Sequence, residues 1–510
     1  MNLRDFIEDK ARRNGDKIFL YFEDQRISYR DFNEKVNKFS WALMQAGIKK
    51  GDRVCIMLPN CPEFLYFWFA LGKIGGIMVP VNFAFKRLEL SYILNHSEAR
   101  AIVVHGSRAD LIGEVRDDCK SLEIAISDRK TAIDTILFEE LDGDASAESP
   151  PVPIDDEDIA AIIYTSGTTG PPKGVVHVHR SYVLCGEAFL RRAPVGPSDR
   201  LLTALPLFHI NAQFYSTMGS LAADASLVLI ERFSSSRFWD QVRRYRATQF
   251  SLIGVMMRML MNQPESPDDR NHSVEWVNTG GAPKELIGEF ERRFGVKIIE
   301  GYGLTECPLV CQNPYSGVRK PGSIGLPAKH PNPRVRFAEM KIVDEDGNEL
   351  PPGRVGEIVV RSPVMMKEYF RDPEKTAATI KDGWLYTGDY GYRDEDGYFY
   401  FFERKKEIIR RRGENISPVE VETVINRHPK VLESAVIPVP SELGEDDVKA
   451  IVVVKEGERL TADEVIEWCK RDLAYFKVPS FVEFRTHIPK TETGKIARAV
   501  LKREHRHTDK

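Results

Sequence analysis

Short runs of β-branched and aliphatic residues alternate with longer stretches at helical spacing through the first two thirds of the chain. Val54–Met57, Ala101–Val104, Ile159–Tyr164, Leu201–Ala204, Ser226–Ile230 and Val274–Thr279 are such runs. Runs of this length read as buried strands, and their alternation with helical segments predicts βαβ units and mostly parallel sheets. The most apolar window, Phe64 to Phe83, is broken by Gly72, Lys73, Gly75, Gly76 and Pro80. It therefore predicts a buried helix followed by a strand, not a membrane span.

After about residue 330 the rhythm changes to strand pairs joined by turns, as in Met340 to Asp346 followed by Gly356 to Arg361. These predict a smaller antiparallel or barrel-like part. In the last hundred residues Ser417-Pro-Val-Glu420 and Thr461-Ala-Asp-Glu464 are capping boxes that start helices, and Val431–Val439 and Val448–Lys455 read as strands. The pattern predicts an α/β chain in two domains. The first, 1–404, has layered, mostly parallel sheets with helices plus the barrel-like β part; the second, 405–510, is a small α+β domain.

Composition narrows the picture without changing it. A chain of 510 residues exceeds one hydrophobic core. A net charge of −4, with no strongly basic half, disfavours nucleic acid as a partner. Seven cysteines without a Cys-x-x-Cys pair fit reduced thiols, and the charged N-terminus lacks a signal core, so a cytoplasmic protein is expected.

The chemistry starts at Tyr164-Thr-Ser-Gly-Thr-Thr-Gly-Pro-Pro-Lys-Gly-Val175. Its glycines allow amide N–H groups to turn toward an anion, Ser166, Thr168 and Thr169 add hydroxyl donors, and Lys173 adds a mobile charge. The loop leaves the end of a predicted strand, where open α/β sheets bind ligands. It lacks the Gly-x-x-x-x-Gly-Lys-Ser/Thr order of the common NTPase loop. Three further segments carry chemistry. Gly280-Gly-Ala-Pro283 permits close approach of a flat base. Glu300-Gly-Tyr-Gly-Leu-Thr-Glu306 puts an aromatic, a hydroxyl and a carboxylate at another expected strand end. Thr387-Gly-Asp389 offers a carboxylate on an expected tight turn. Tyr302 suits stacking on a purine and Glu306 suits Mg²⁺.

These blocks, with Arg404 to Gly413 and Pro489-Lys-Thr-Glu-Thr-Gly-Lys495, occur in the order and spacing of the adenylate-forming superfamily of acyl-CoA synthetases, luciferases and peptide-synthetase adenylation domains, which the whole chain resembles. The resemblance implies that Thr165, Ser166, Gly167, Thr168, Thr169, Gly170 and Lys173 wrap the ATP phosphates, with Glu306 and Thr168 at Mg²⁺ and Thr305 beside them. It implies that Glu300, Gly301, Tyr302, Gly281, Ala282 and Pro283 frame adenine, and that Asp389 and Arg404 hold the ribose. Lys495 would bridge the carboxylate and the α-phosphate, Lys406 would be the hinge of a mobile small domain, and Arg410 and Gly413 would face the site in the thioester-forming state. ATP, Mg²⁺ and coenzyme A are the implied cofactors.

Pro206-Leu-Phe-His-Ile-Asn211 resembles the family's gate between acyl pocket and thiol tunnel, with His209 at its centre. Ile210 stands where amino-acid-activating members place an aspartate, which argues against an α-amino acid. The chain ends without a carrier module, which favours free coenzyme A. The run Phe238 to Thr248, with Met256-Met-Arg258, is similar to crotonobetaine/carnitine-CoA ligases, and medium- or long-chain fatty acids are the competing substrates. Asn211, Gln213, Phe214, Asn278, Leu304, Cys307 and Leu309 are the candidate acyl-pocket residues. A betaine would want aromatic faces, for which Phe214, Tyr215 and Trp276 are available. The other class to weigh is a non-catalytic nucleotide or acyl-CoA binding protein on the same scaffold. A homodimer is an open expectation.

Overall fold

The computed structural model describes residues 1–130, 135–141, 145–165, 172–404, 409–411, 414–416, 418–441, 446–473, 475, 477–491 and 496–508. These fall into two compact units, one built from residues up to 340 together with 360–385, the other from 341–359 and 386–510.

The first unit holds two large sheets. One is eight-stranded, in the order Glu368–Tyr369, Lys173–Val178, Ile159–Thr165, Ile77–Pro80, Arg53–Met57, Ala101–Val104, Ile124–Ser127, Ile136–Leu137. The other is nine-stranded and runs Leu326–Pro327, Cys307–Gln312, Lys297–Leu304, Trp276–Gly280, Gln249–Ile253, Arg200–Thr203, Ser226–Leu229, Ile18–Phe22, Gln25–Ser28. Both are parallel at their centres, as the alternating pattern requires, and antiparallel at an edge.

The expected buried helix is Pro62–Ile74, followed by the strand Ile77–Pro80. Proline at its first turn and Gly75 in the left-handed conformation at its end fix its limits. Phe64, Leu65, Phe67, Trp68, Phe69 and Leu71 are all buried in the main core, each side chain contributing about 2 kcal/mol of apolar burial. Lys73 on the same helix is fully buried, and its ammonium donates to Glu8 Oε1, Asn33 Oδ1 and Asn37 Oδ1 at 2.7–2.8 Å, which offsets the desolvation of its charge.

In the second unit the strands Val431–Pro440, Asp446–Val454 and Phe481–Phe484 form a sheet with helices Pro418–Asn426 and Ala462–Asp472, the latter opened by the Thr461/Glu464 capping box. A further helix, Arg498–Thr508, follows. It lies beyond the two helices and two strands read from the sequence. Its abundance of arginine and histidine dilutes the apolar spacing that would have marked it. Ser417 of the other capping box lies outside the described residues.

Two local expectations are corrected. Strand Lys297–Leu304 does not stop at Ile299: it pairs in parallel with Trp276–Gly280 up to Glu300, then antiparallel with Cys307–Gln312 from Gly301. The hairpin supplies the backbone partners that carry the glycine-rich segment onward as strand. Likewise Asp389 is not on a tight turn but inside strand Trp384–Arg393, opposite Arg404.

Candidate active site

Strand Ile159–Thr165 and strand Lys173–Val178 are antiparallel neighbours, with Thr165 opposite Lys173, so the glycine loop closes a β-hairpin. Ser166, Gly167, Thr168, Thr169 and Gly170 lie outside the described residues, as do Lys406, Gly413 and Lys495. Lys173 Nζ lies 5.1 Å from the centre of the Tyr369 ring, within cation–π range.

Thr305 and Glu306 form the turn between strands Lys297–Leu304 and Cys307–Gln312, and three groups fix that turn. Tyr369 Oη donates to Glu306 Oε1 at 2.7 Å, the Met366 amide donates to the Glu306 carbonyl at 2.7 Å, and His177 Nε2 donates to the Thr305 carbonyl at 2.7 Å. Because a carbonyl can only accept, this contact sets the His177 tautomer. His177 is fully buried and burial pushes its pKa down to about 4, so it is a neutral donor. Tyr369 thus touches two predicted phosphate-site residues, by its hydroxyl and by its ring. Its own phenol is pushed up by burial, then by the Glu306 carboxylate.

Along strand Lys297–Leu304 side chains alternate between faces. Glu300 is buried, accepts from the Gly322 amide at 3.2 Å, and burial raises its pKa to about 7. Tyr302, two residues on, shares its face and is half-buried. Gly281, Ala282 and Pro283 connect strand Trp276–Gly280 to helix Lys284–Phe294, and Thr279 pairs with Glu300 in the parallel register. The two segments predicted to frame adenine are therefore neighbours in one sheet.

On the opposite face stand Gly301 and Gly303. A methyl group at 303 would lie 2.6 Å from Tyr215 Oη, and one at 301 would overlap the Arg192 guanidinium. Tyr215 Oη accepts from the Leu309 amide at 2.9 Å, and Leu309 has φ +54°, an uncommon conformation for leucine. Cys307 is buried beside Leu304, its strand-pairing partner, and burial raises its thiol to about 12.

The gate segment runs into a π-helix, Asn211–Thr217. His209 is exposed and its ring lies against Phe208. Gln213 is fully buried: it donates to the Leu207 carbonyl and accepts from Tyr182 Oη, both at 2.7 Å, tying the gate backbone to the core. Phe214 stacks on Tyr182 at 4.0 Å. Asn278 donates to Ser251 Oγ at 3.0 Å, whereas its Oδ1 and that of Asn211 are buried with no hydrogen-bond partner among the described residues. In the second unit, the Asp389 amide donates to Thr387 Oγ1 at 3.1 Å, and the Gly388 amide donates to Glu357 Oε1 at 2.9 Å. The Arg410 backbone is in strand Ile409–Arg411.

Sequence reasoning missed Tyr369 and His177. His177 carried a signal, an imidazole inside the β-branched run Val175-Val-His-Val178; Tyr369 carried none, because it acts from a segment distant in sequence.

Fold and site define a class: an α/β enzyme of two compact units, with a carboxylate-bearing hairpin turn and a lysine-bearing strand drawn together by one tyrosine, next to a glycine-rich strand. The chain belongs to the AMP-binding enzyme family, which matches residues 7–370, and the family's C-terminal domain matches residues 420–495. It is similar to the crotonobetaine/carnitine–CoA ligase of Salmonella choleraesuis, with 38% identity over 98% of this chain and 99% of that one. Among solved structures, ATP-bound MatB from Rhodopseudomonas palustris matches with a TM-score of 0.90 at 28% identity, covering 100% of both chains. The anthranilate CoA ligase AuaEII in complex with anthranoyl-AMP also gives 0.90 at 28%, over 100% of this chain and 98% of that one.

Proposed function

We propose that the chain is an AMP-forming acyl-CoA ligase. A carboxylate oxygen attacks the α-phosphorus of ATP and the bond to the β-phosphate breaks, giving acyl-adenylate and pyrophosphate; the coenzyme A thiolate then attacks the acyl carbonyl and AMP leaves. The observation that carries this reading is the Lys173–Tyr369–Glu306 cluster, in a chain that matches the family in both its parts. In this reading Thr165 to Lys173 hold the phosphates, Tyr302 and Gly281 to Pro283 hold adenine, and Asp389 and Arg404 hold the ribose. Residues 405–510 swing about Lys406 between the two half-reactions. Lys495 offsets the repulsion between two anionic reactants as charge develops in the transition state.

Among the described residues no group of three or more His, Cys, Asp or Glu is placed to hold a metal ion. Mg²⁺ suits such a site, because it is held by one or two carboxylates together with substrate phosphates, and Glu306 with a Thr168 hydroxyl supplies hard oxygen donors. When bound, the ion would neutralise phosphate charge. No helix among the described residues is long and apolar enough to cross a membrane. A cytoplasmic homodimer, tested by size-exclusion chromatography with light scattering, completes the proposal.

The test is pyrophosphate exchange with a panel of carboxylic acids. AMP is expected only when acid and ATP are both supplied, and Lys495→Ala should abolish adenylation with the thermal unfolding curve unchanged. A binding protein without chemistry would bind ATP and give no exchange with any acid.

A further inference from the structure

Arg192 is among the largest fully buried side chains of the protein, and no carboxylate of the described residues lies within ion-pair distance of it. Among the described residues its Nε has no hydrogen-bond partner, and a guanidinium nitrogen makes a long contact, 3.4 Å, to the Ile299 carbonyl. The titratable groups that face it are Tyr215, Cys311 and Cys185, all neutral near pH 7. An unpaired buried cation costs several kcal/mol in general, so a group that only packs would be better replaced by an apolar one.

The position of Arg192 gives it a task. Its guanidinium lies 5.9 Å from the centre of the Tyr215 ring, and Tyr215 stacks on Phe189, which also meets Trp276. Together with the Tyr215 hydroxyl it fills the space that side chains at 301 and 303 would occupy, on the face of the strand that meets Leu309. Of the three aromatics that a betaine would use, Tyr215 thus faces a fixed positive charge of the protein itself, Trp276 reaches Tyr215 only through Phe189, and Phe214 is covered by Tyr182. A trimethylammonium group brought here would meet like charge in a dry, low-dielectric setting, whereas an oxygen acceptor would take up the unused Nε–H of Arg192.

We propose that Arg192 is a specificity-determining residue that selects acids whose far end carries an oxygen acceptor, carboxylate or carbonyl, over plain alkanoic acids and over betaines. This rests on the ligase reading.

The experiment measures kcat/KM by pyrophosphate exchange for wild type, Arg192→Met and Arg192→Lys. The acids are an alkanoic acid, its ω-carboxy and ω-oxo counterparts of equal length, and a trimethylammonium acid. Wild type is expected to favour an acceptor-bearing acid over the other two by about 100-fold or more, because the wrong substrate leaves a buried donor unpaired. Which of the two acceptor acids leads tells a carboxylate from a carbonyl. Arg192→Met should lose that factor through KM for the acid, keep KM for ATP, and unfold at the same or higher temperature. Arg192→Lys should retain part of the preference. Equal preferences in wild type and Arg192→Met, or a wild type that favours the trimethylammonium acid, would overturn the proposal. Absence of exchange with every acid would instead bring down the ligase reading itself.

Discussion

Glu300→Gln should make the protein more stable at pH 8 and leave it unchanged near pH 4.5. Glu300 is buried beneath the Gly322 amide, and burial raises its pKa from 4.5 to about 7, against smaller opposing effects of that amide and of Lys284. The native state therefore holds a proton that the unfolded chain releases between these two values. The sign follows from linkage: where the native state binds more protons than the unfolded one, stability falls as pH rises. Its stability is whole below 4.5, declines through the interval and is missing in full above 7. A shift of this size corresponds to about 3 kcal/mol, at about 1.4 kcal/mol per unit. Glutamine keeps the shape and an oxygen acceptor for the Gly322 amide and cannot ionise.

Urea unfolding of wild type and Glu300→Gln at pH 5 and pH 8 gives the quantity that matters, the difference between variants at each pH. Ionisable groups common to both cancel in it. The variant should gain about 3 kcal/mol at pH 8 and less than about 1 kcal/mol at pH 5. A difference that is the same at both pH values would refute the reasoning, because it would mean that Glu300 ionises in the native state as easily as in water.

His177 should act in the opposite direction. Its pKa is pushed down to about 4 by burial, so its stability contribution is present above about 6.5 and lost as pH falls toward 4, and His177→Leu should flatten the acid limb of the unfolding profile. The same variant, which frees the Thr305 carbonyl, should lower kcat for adenylation by up to about 100-fold, the order expected when a catalytic group is misplaced by about 1 Å; unchanged kcat would show that the turn does not need its third anchor. Tyr369→Phe removes the hydroxyl that holds Glu306 and keeps the ring beside Lys173, so KM for ATP measured against Mg²⁺ concentration should rise several-fold while the unfolding temperature holds. Gly325→Ala should cost about 3 kcal/mol or more in urea unfolding, because Gly325 has φ +97° and a methyl group there would overlap the Gln312 carbonyl.

Much of the architecture was legible, and for a definite reason. Buried parallel strands such as Val54–Met57 and Ala101–Val104 are apolar on both faces, so they stand out in any window. The strand positions of Glu300 to Leu304 and of Asp389 were not legible. Both segments are rich in glycine, and what makes them strands is the partner, Cys307–Gln312 in one case and Phe399–Arg404 in the other, not their own side chains. The same limit applies to the site. Glu306 could be picked from its motif, yet the residue that holds it, Tyr369, lies some sixty positions further on and reaches it only because Glu368–Tyr369 pairs with Lys173–Val178. The pocket residues show a third kind of limit. Gln213 is polar and near the gate, which suggested a substrate contact, but both of its hydrogen-bonding ends are taken by Leu207 and Tyr182.

Strand Lys297–Leu304 also explains how one segment can serve two ligands that must react with each other. Glu300 and Tyr302 project from one face, where the proposed nucleotide wall lies, and Gly301 and Gly303 leave the other face bare. Because those two positions carry no side chain, Arg192 and the Tyr215 hydroxyl can come up against the backbone itself. The acid's specificity is then set by residues on the other side of the strand from the nucleotide, and the two functions can be altered independently. The physical consequence is a double dissociation. Substitution at Tyr302 should move KM for ATP and leave the order of preferred acids intact, and substitution at Arg192 should reorder the acids and leave KM for ATP intact. A Tyr302→Ala variant whose acid preferences change as much as its ATP affinity would show that the strand transmits between its faces, and that the two ligand sites are one.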